Sequence, residues 1–79
     1  MAILYVLDVL EFSPLVDFSE RAYELSVTIH GAYRKLEATD RLTISRVDTG
    51  MDPAIWFGVL VGGFEGNIEE FSEHTLIII

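Results

Sequence analysis

The sequence predicts an α+β domain, a ferredoxin-like βαββαβ sandwich in which a four-stranded antiparallel sheet carries one long and one short helix. Three observations predict it. Apolar, β-branched segments recur at the chain start, at 41–47, at 55–61 and at the chain end. A 3.6-residue apolar stripe runs through residues 17–38. A turn cluster (Asp48, Thr49, Gly50, Asp52 and Pro53) stands where the central hairpin of such a fold turns. A mostly β fold is the alternative, because the stripe overlaps a segment that also alternates.

Each element has its own argument. "AILYVLDVLEF" places Ile3, Tyr5, Leu7 and Val9 on one parity and Leu4, Val6 and Leu10 on the other, then stops at Ser13-Pro14. It reads as a strand apolar on both faces. In residues 17–38, Phe18, Ala22, Leu25, Ile29, Ala32 and Leu36 share one helical face, with Glu20, Glu24, His30, Arg34 and Lys35 outside it. Asp17 and Glu20 have the spacing of an N-terminal capping box. Against this, "YELSVTIH" alternates, and Ser26, Val27, Thr28, Ile29 and Gly31 are poor helix formers. The helical pattern lasts longer and predicts the long helix. "RLTISRV" reads as a short strand.

"AIWFGVLVGGFEG", residues 54–66, holds four of the six glycines and the only tryptophan. Ile55 to Val61 is aromatic and β-branched, and Gly62-Gly63 ends it, which predicts a strand; Asp52-Pro53 as a helix cap and first residue is the competing signal. "NIEEFSEH" predicts a short acidic helix burying Ile68 and Phe71, and "TLIII" a last strand. The 79 residues make a single domain, 1–79, near the lower limit for a self-sufficient core.

Helices in that sandwich cover one sheet face only. Its strands are apolar on both, so Leu4, Val6, Leu10, Trp56, Leu76 and Ile78 are expected on an uncovered face. This predicts a homodimer joined through sheets, or a partner protein on the same surface.

The net charge of −8 is unevenly spread. Residues 1–20 and 47–79 carry Asp8, Glu11, Asp17, Glu20, Asp48, Asp52, Glu65, Glu69, Glu70 and Glu73 without a base; Arg21, Arg34, Lys35, Arg41 and Arg46 all lie between them. Such a chain repels phosphate backbones, so direct nucleic-acid binding is not expected. A basic protein surface, including one that normally binds nucleic acid, is the natural partner. Glu65, Glu69, Glu70 and Glu73 are the first candidates for contact, with Asp48 and Asp52 next.

Catalytic motifs are missing. "GVLVGGFEGN" has neither dinucleotide-loop spacing nor a following Lys-Ser/Thr, and puts Glu65 where an anion would sit. Glu70 and His74 have metal-ligand spacing on a helix, but a solvated acidic face explains them, so no metal and no cofactor is expected. No serine sits in a G-x-S-x-G elbow. The chain has no cysteine, no run of the ~20 apolar residues a membrane helix needs, and no basic stretch before its apolar start. A cytoplasmic, non-enzymatic protein with no membrane association is expected. Trp56-Phe57 reads as core ahead of interface, and Tyr5, Tyr23 and Tyr33 look too scattered to form a stacking platform.

This profile (small, acidic, cysteine-free) is similar to that of phage-encoded inhibitors of host defence, such as anti-CRISPR and anti-restriction proteins. It also resembles acidic immunity proteins that block toxins. The resemblance covers the whole chain without a residue motif, and it implies inhibition of a basic protein. A ligand-binding ferredoxin-like regulatory dimer, with its ligand near Gly62-Gly63, and a structural subunit of an assembly are the alternatives.

Overall fold

A computed structural model describes residues 1–79. The chain is α+β, with two antiparallel sheets and three short helices. Strands β1 (Ala2–Leu7), β2 (Ser26–His30), β3 (Tyr33–Ala38) and β5 (Phe64–Glu65) form the first sheet, in the order β2-β3-β1-β5. Strands β4 (Leu42–Ser45), β6 (Ile68–Phe71) and β7 (Thr75–Ile78) form the second, in the order β4-β7-β6. Helices α1 (Ser13–Arg21), α2 (Arg46–Thr49) and α3 (Pro53–Trp56) complete the structure. This order departs from βαββαβ, and the strands divide into two sheets where one was expected.

Strand parity builds the core. Opposite one another on the first sheet stand Ala2 and Ala38, and Leu4 and Leu36; on the second, Leu42 faces Ile78 and Ile44 faces Leu76. All eight belong to one buried apolar cluster with Val6, Leu15, Val16, Met51, Trp56 and Val59. Each large side chain fully removed from water here contributes about 1.5–3 kcal/mol. Helix α1 adds Leu15 and Val16, while buried Ser19 donates its hydroxyl to the Leu15 carbonyl at 2.8 Å.

Three predicted elements are corrected. The long helix over 17–38 does not form. Helix α1 starts earlier, with Pro14 in its first turn, and ends at Arg21, with Ala22 extended. Asp17 therefore lies inside the helix and caps nothing. Residues 26–38 are a hairpin, turning at Gly31-Ala32 between the paired His30 and Tyr33. Gly31 takes φ +62, a left-handed conformation that suits a two-residue hairpin. Val27, Thr28 and Ile29 follow their β-branched preference once this ladder exists.

The strand expected at 55–61 is helix and turns. The Asp52 carboxylate accepts the Ala54 N–H at 2.9 Å, Pro53 occupies the first turn of α3, and backbone bonds three residues apart carry the chain through Gly58, Val59, Val61 and Gly63. The acidic helix expected in 67–74 is strand β6 and the turn into β7.

The uncovered sheet face is also corrected. Leu4, Val6, Trp56, Leu76 and Ile78 are interior, because the second sheet and the 51–59 segment cover the first. Leu10 alone stays outside, 84 % exposed. The premise of a homodimer joined through sheets falls with that face.

Candidate functional site

Hydrogen bonding between residues 46–56 and 72–74 gathers most of the candidate carboxylates at one end of the molecule. The Arg46 guanidinium donates to the Glu73 carbonyl at 2.6 Å and the Met51 carbonyl at 2.9 Å, and its backbone N–H donates to His74. Trp56 Nε1 donates to the Ser72 carbonyl at 2.7 Å. Asp48 on α2, Asp52 before α3, and Glu70 and Glu73 at the β6–β7 turn thereby belong to one packed unit. Asp52 spends one oxygen on its cap. Glu73 pairs with His74 at 3.3 Å, and Glu70 accepts the Ser72 hydroxyl at 3.2 Å.

Glu69 and Glu65 fare differently. Glu69 is the extra residue of a bulge in β6 and pairs with Arg41 at 3.0 Å. Glu65 lies in the first sheet, away from the turn, and accepts the Tyr5 hydroxyl at 2.6 Å.

The charge imbalance of the sequence is sharpened by these pairings. Arg34 pairs with Asp8 at 3.2 Å, Lys35 with Glu37 at 3.6 Å and Arg41 with Glu69, while Arg46 serves backbone carbonyls. Of thirteen carboxylates, three therefore have a Lys or Arg partner and ten have none.

A second feature lies on the outward face of the first sheet. Register and parity place Tyr5 and Lys35 in one cross-strand row, Leu7, Tyr33 and His30 in the next, and Ile3, Glu37 and Glu65 in the row on the other side. Tyr5, His30, Tyr33 and Gly62 line an open cavity of about 270 Å³. The Tyr5 and His30 rings lie 5.4 Å apart, tilted by 48°. Gly62 is required there: a Cβ on it would overlap the Tyr5 carbonyl oxygen and press on the Tyr33 ring. The hydrogen bond to Glu65 raises the Tyr5 pKa above its ordinary value; desolvation and the negative charges of Glu65 and Glu37 push the same way. The expectation that the tyrosines are too scattered is corrected for Tyr5 and Tyr33, whereas Tyr23 stays apart and fully exposed. Sequence reasoning missed this site because its members come from β1, β2, β3 and a turn. The 26–38 hairpin, had it been recognised, was the signal that would have joined His30 to Tyr33.

Behind Tyr33 lies an apolar cleft of about 170 Å³, lined by Leu7, Phe12, Gly58, Val59 and Val61 with Gly62. Phe57, its neighbour in sequence, is half-exposed and packs edge-on against Phe71 at 5.7 Å. The Ser13 and Ser19 hydroxyls are engaged with backbone carbonyls and the Ser72 hydroxyl with Glu70; no group of three or more His, Asp or Glu side chains is placed to hold a metal ion. No helix is long and apolar enough to cross a membrane.

Comparison with known proteins adds no relative: no family model, no curated protein and no solved structure matches the chain.

Proposed function

We propose that this is a cytoplasmic, non-enzymatic, acidic protein-binding module that inhibits or masks a basic protein, one that itself handles nucleic acid in the manner of the partners of anti-CRISPR-like or immunity proteins. One observation carries the reading: four of the five Lys and Arg residues are engaged within the molecule, and ten carboxylates are left without a Lys or Arg partner. An acidic field of that kind speeds encounter with a basic surface and fixes its orientation. The contact surface centres on the end that holds Asp48, Asp52, Glu70 and Glu73, with Glu69 flanking it and Glu65, in the first sheet, a separate point of contact. Glu69 contributes less, since Arg41 already neutralises it.

The regulatory-domain alternative has less support. The apolar cleft beside Gly62, at about 170 Å³, is smaller than the roughly 300–1,000 Å³ of typical ligand pockets. The Gly63 amide is already bonded to the Leu60 carbonyl. A structural subunit would use the same acidic surface with a permanent partner.

The test is capture of a partner by the tagged chain, followed by affinity measurement at low and high salt. Affinity that drops steeply with salt, and at least tenfold in a Glu70→Lys/Glu73→Lys variant, supports the reading. Affinity indifferent to both removes it.

A further inference from the structure

We propose that the pocket of Tyr5, His30, Tyr33 and Gly62, with the Glu65 carboxylate behind its Tyr5 wall, binds an alkylammonium group of the kind a lysine side chain presents. The proposal rests on the partner reading in one respect: it names the group that a basic protein would insert.

Three aromatic rings from three strands share one open cavity of about 270 Å³. The faces of Tyr5 and Tyr33 attract cations through their quadrupole, and the tilted His30 ring adds a third wall to the cavity. Here Tyr5 and His30 are tilted by 48° at 5.4 Å, which leaves a corner instead of a closed stack. Tyr33 is set by Gly62, whose missing side chain lets the ring lie against the backbone; an added Cβ would stand 3.0 Å from its Cε1 atom.

Electrostatics select the sign of the ligand. Glu65 does not line the cavity, but its carboxylate accepts the Tyr5 hydroxyl at 2.6 Å and so brings a negative charge to the far side of that ring. Lys35 shares the row of Tyr5, but its ammonium is turned to Glu37 at 3.6 Å. Arg34 belongs to the opposite face and pairs with Asp8. Glu65 and Glu37 against Lys35 leave the vicinity net negative. A nucleobase could stack on the same rings, but its phosphates would meet a chain of net charge −8. The acidic field therefore favours a cation, and the rings take the alkyl groups that carry it.

The test is a nuclear magnetic resonance titration of the whole chain with tetramethylammonium, choline, Nα-acetyl-lysine amide and its Nε-trimethylated form. Neohexyl alcohol serves as the neutral isostere of choline. The expected result is a set of shifts confined to Tyr5, His30, Tyr33 and the Gly62 amide, with cations bound about five- to thirtyfold tighter than the alcohol. Glu65→Gln should weaken cation binding about three- to tenfold, and Tyr33→Ala should abolish it. Lysine amides that outbind choline assign the pocket to a protein side chain; the reverse order keeps the alkylammonium site but assigns it to a free small cation. Equal binding of the neutral alcohol, shifts elsewhere, or no effect of Glu65→Gln overturns the proposal. Glu65 also belongs to the proposed partner surface, so the two readings are separated by Tyr33→Ala, which removes the pocket and leaves every candidate carboxylate, and by Glu70→Lys/Glu73→Lys, which leaves the pocket intact.

Discussion

Strand β1 has two faces, and they do different work. Ala2, Leu4 and Val6 point inward and are sealed by the second sheet, whereas Tyr5 on the outward face is half-buried, offering its ring to a pocket and its hydroxyl to Glu65. The same contrast holds on β3, where Leu36 and Ala38 are buried and Tyr33 and Lys35 stand outside. Inward positions are chosen for volume and can vary only within what the core accepts. Apart from the buried Ile3, outward positions are freer of that demand, so a constellation of rings and charge there asks for an explanation beyond stability.

The largest effect should come from breaking the inner side. Trp56 is fully buried, packs 5.9 Å from Phe71 and has its indole N–H satisfied by Ser72. Trp56→Ala should cost about 3–5 kcal/mol, a large part of the ~5–15 kcal/mol that holds a domain folded. Chemical denaturation would read it as a collapsed midpoint. An unchanged midpoint would mean that the interior is not closed around this residue.

Gly62→Ala tests the hinge between the two sides. Its Cβ must displace the Tyr5 carbonyl or the 60–63 turn, and overpacking of that kind costs about 1–3 kcal/mol. Denaturation should show that loss together with broadened Tyr33 signals; stability equal to the parent would place the turn away from β1. Asp52→Ala removes the cap of α3 and should cost about 1 kcal/mol. A melting curve distinguishes that capping role from a role in partner contact alone, which would leave stability untouched.

Exposed charges sit at the small end. Glu70→Lys/Glu73→Lys should change stability by no more than about 0.5 kcal/mol, while shifting partner affinity as described above. The smallest effect is alkaline. Because Tyr5 titrates higher when folded, the stability tied to its neutral phenol is present below the unfolded value and is lost as pH rises through the folded one. Glu65→Gln should bring the Tyr5 titration down, followed by ultraviolet absorbance; an unmoved titration would show that the Glu65 hydrogen bond is not the cause.

Some strands of the inner side were legible from sequence, but which of their faces is buried was not, and neither was the outer side. Strands at the chain start, at 42–45 and at the chain end were readable because β-branched residues are interleaved there with other strand-compatible side chains, without Gly or Pro. Residues 17–38 misled for a geometric reason. Pairs four apart, such as Phe18 and Ala22 or Leu25 and Ile29, share a face in a helix and in a strand alike. Ile68 and Phe71 misled for another: spaced by three they suggest a helix turn, but the bulge at Glu69 puts both on the inward face of β6. Nothing in the sequence announces a bulge. The apolar run at 54–61 has no period at all, so Asp52-Pro53 was its one decisive signal, and it pointed correctly to α3. Apolar residues on both parities of β1 suggested two covered faces, but only the face of Ala2, Leu4 and Val6 is sealed, by the chain's own second sheet, while Tyr5 and Leu7 stand on the outward side.

The central claim is that the surface carboxylates, left unmatched by the chain's own bases, exist to meet a basic partner. Native mass spectrometry of the tagged chain, gently purified beside its Glu70→Lys/Glu73→Lys variant, tests it most directly. The account predicts a stoichiometric basic protein bound to the parent and absent from an equally folded variant. A bare chain or bare homodimer in both samples, or the same complex in both, would contradict it.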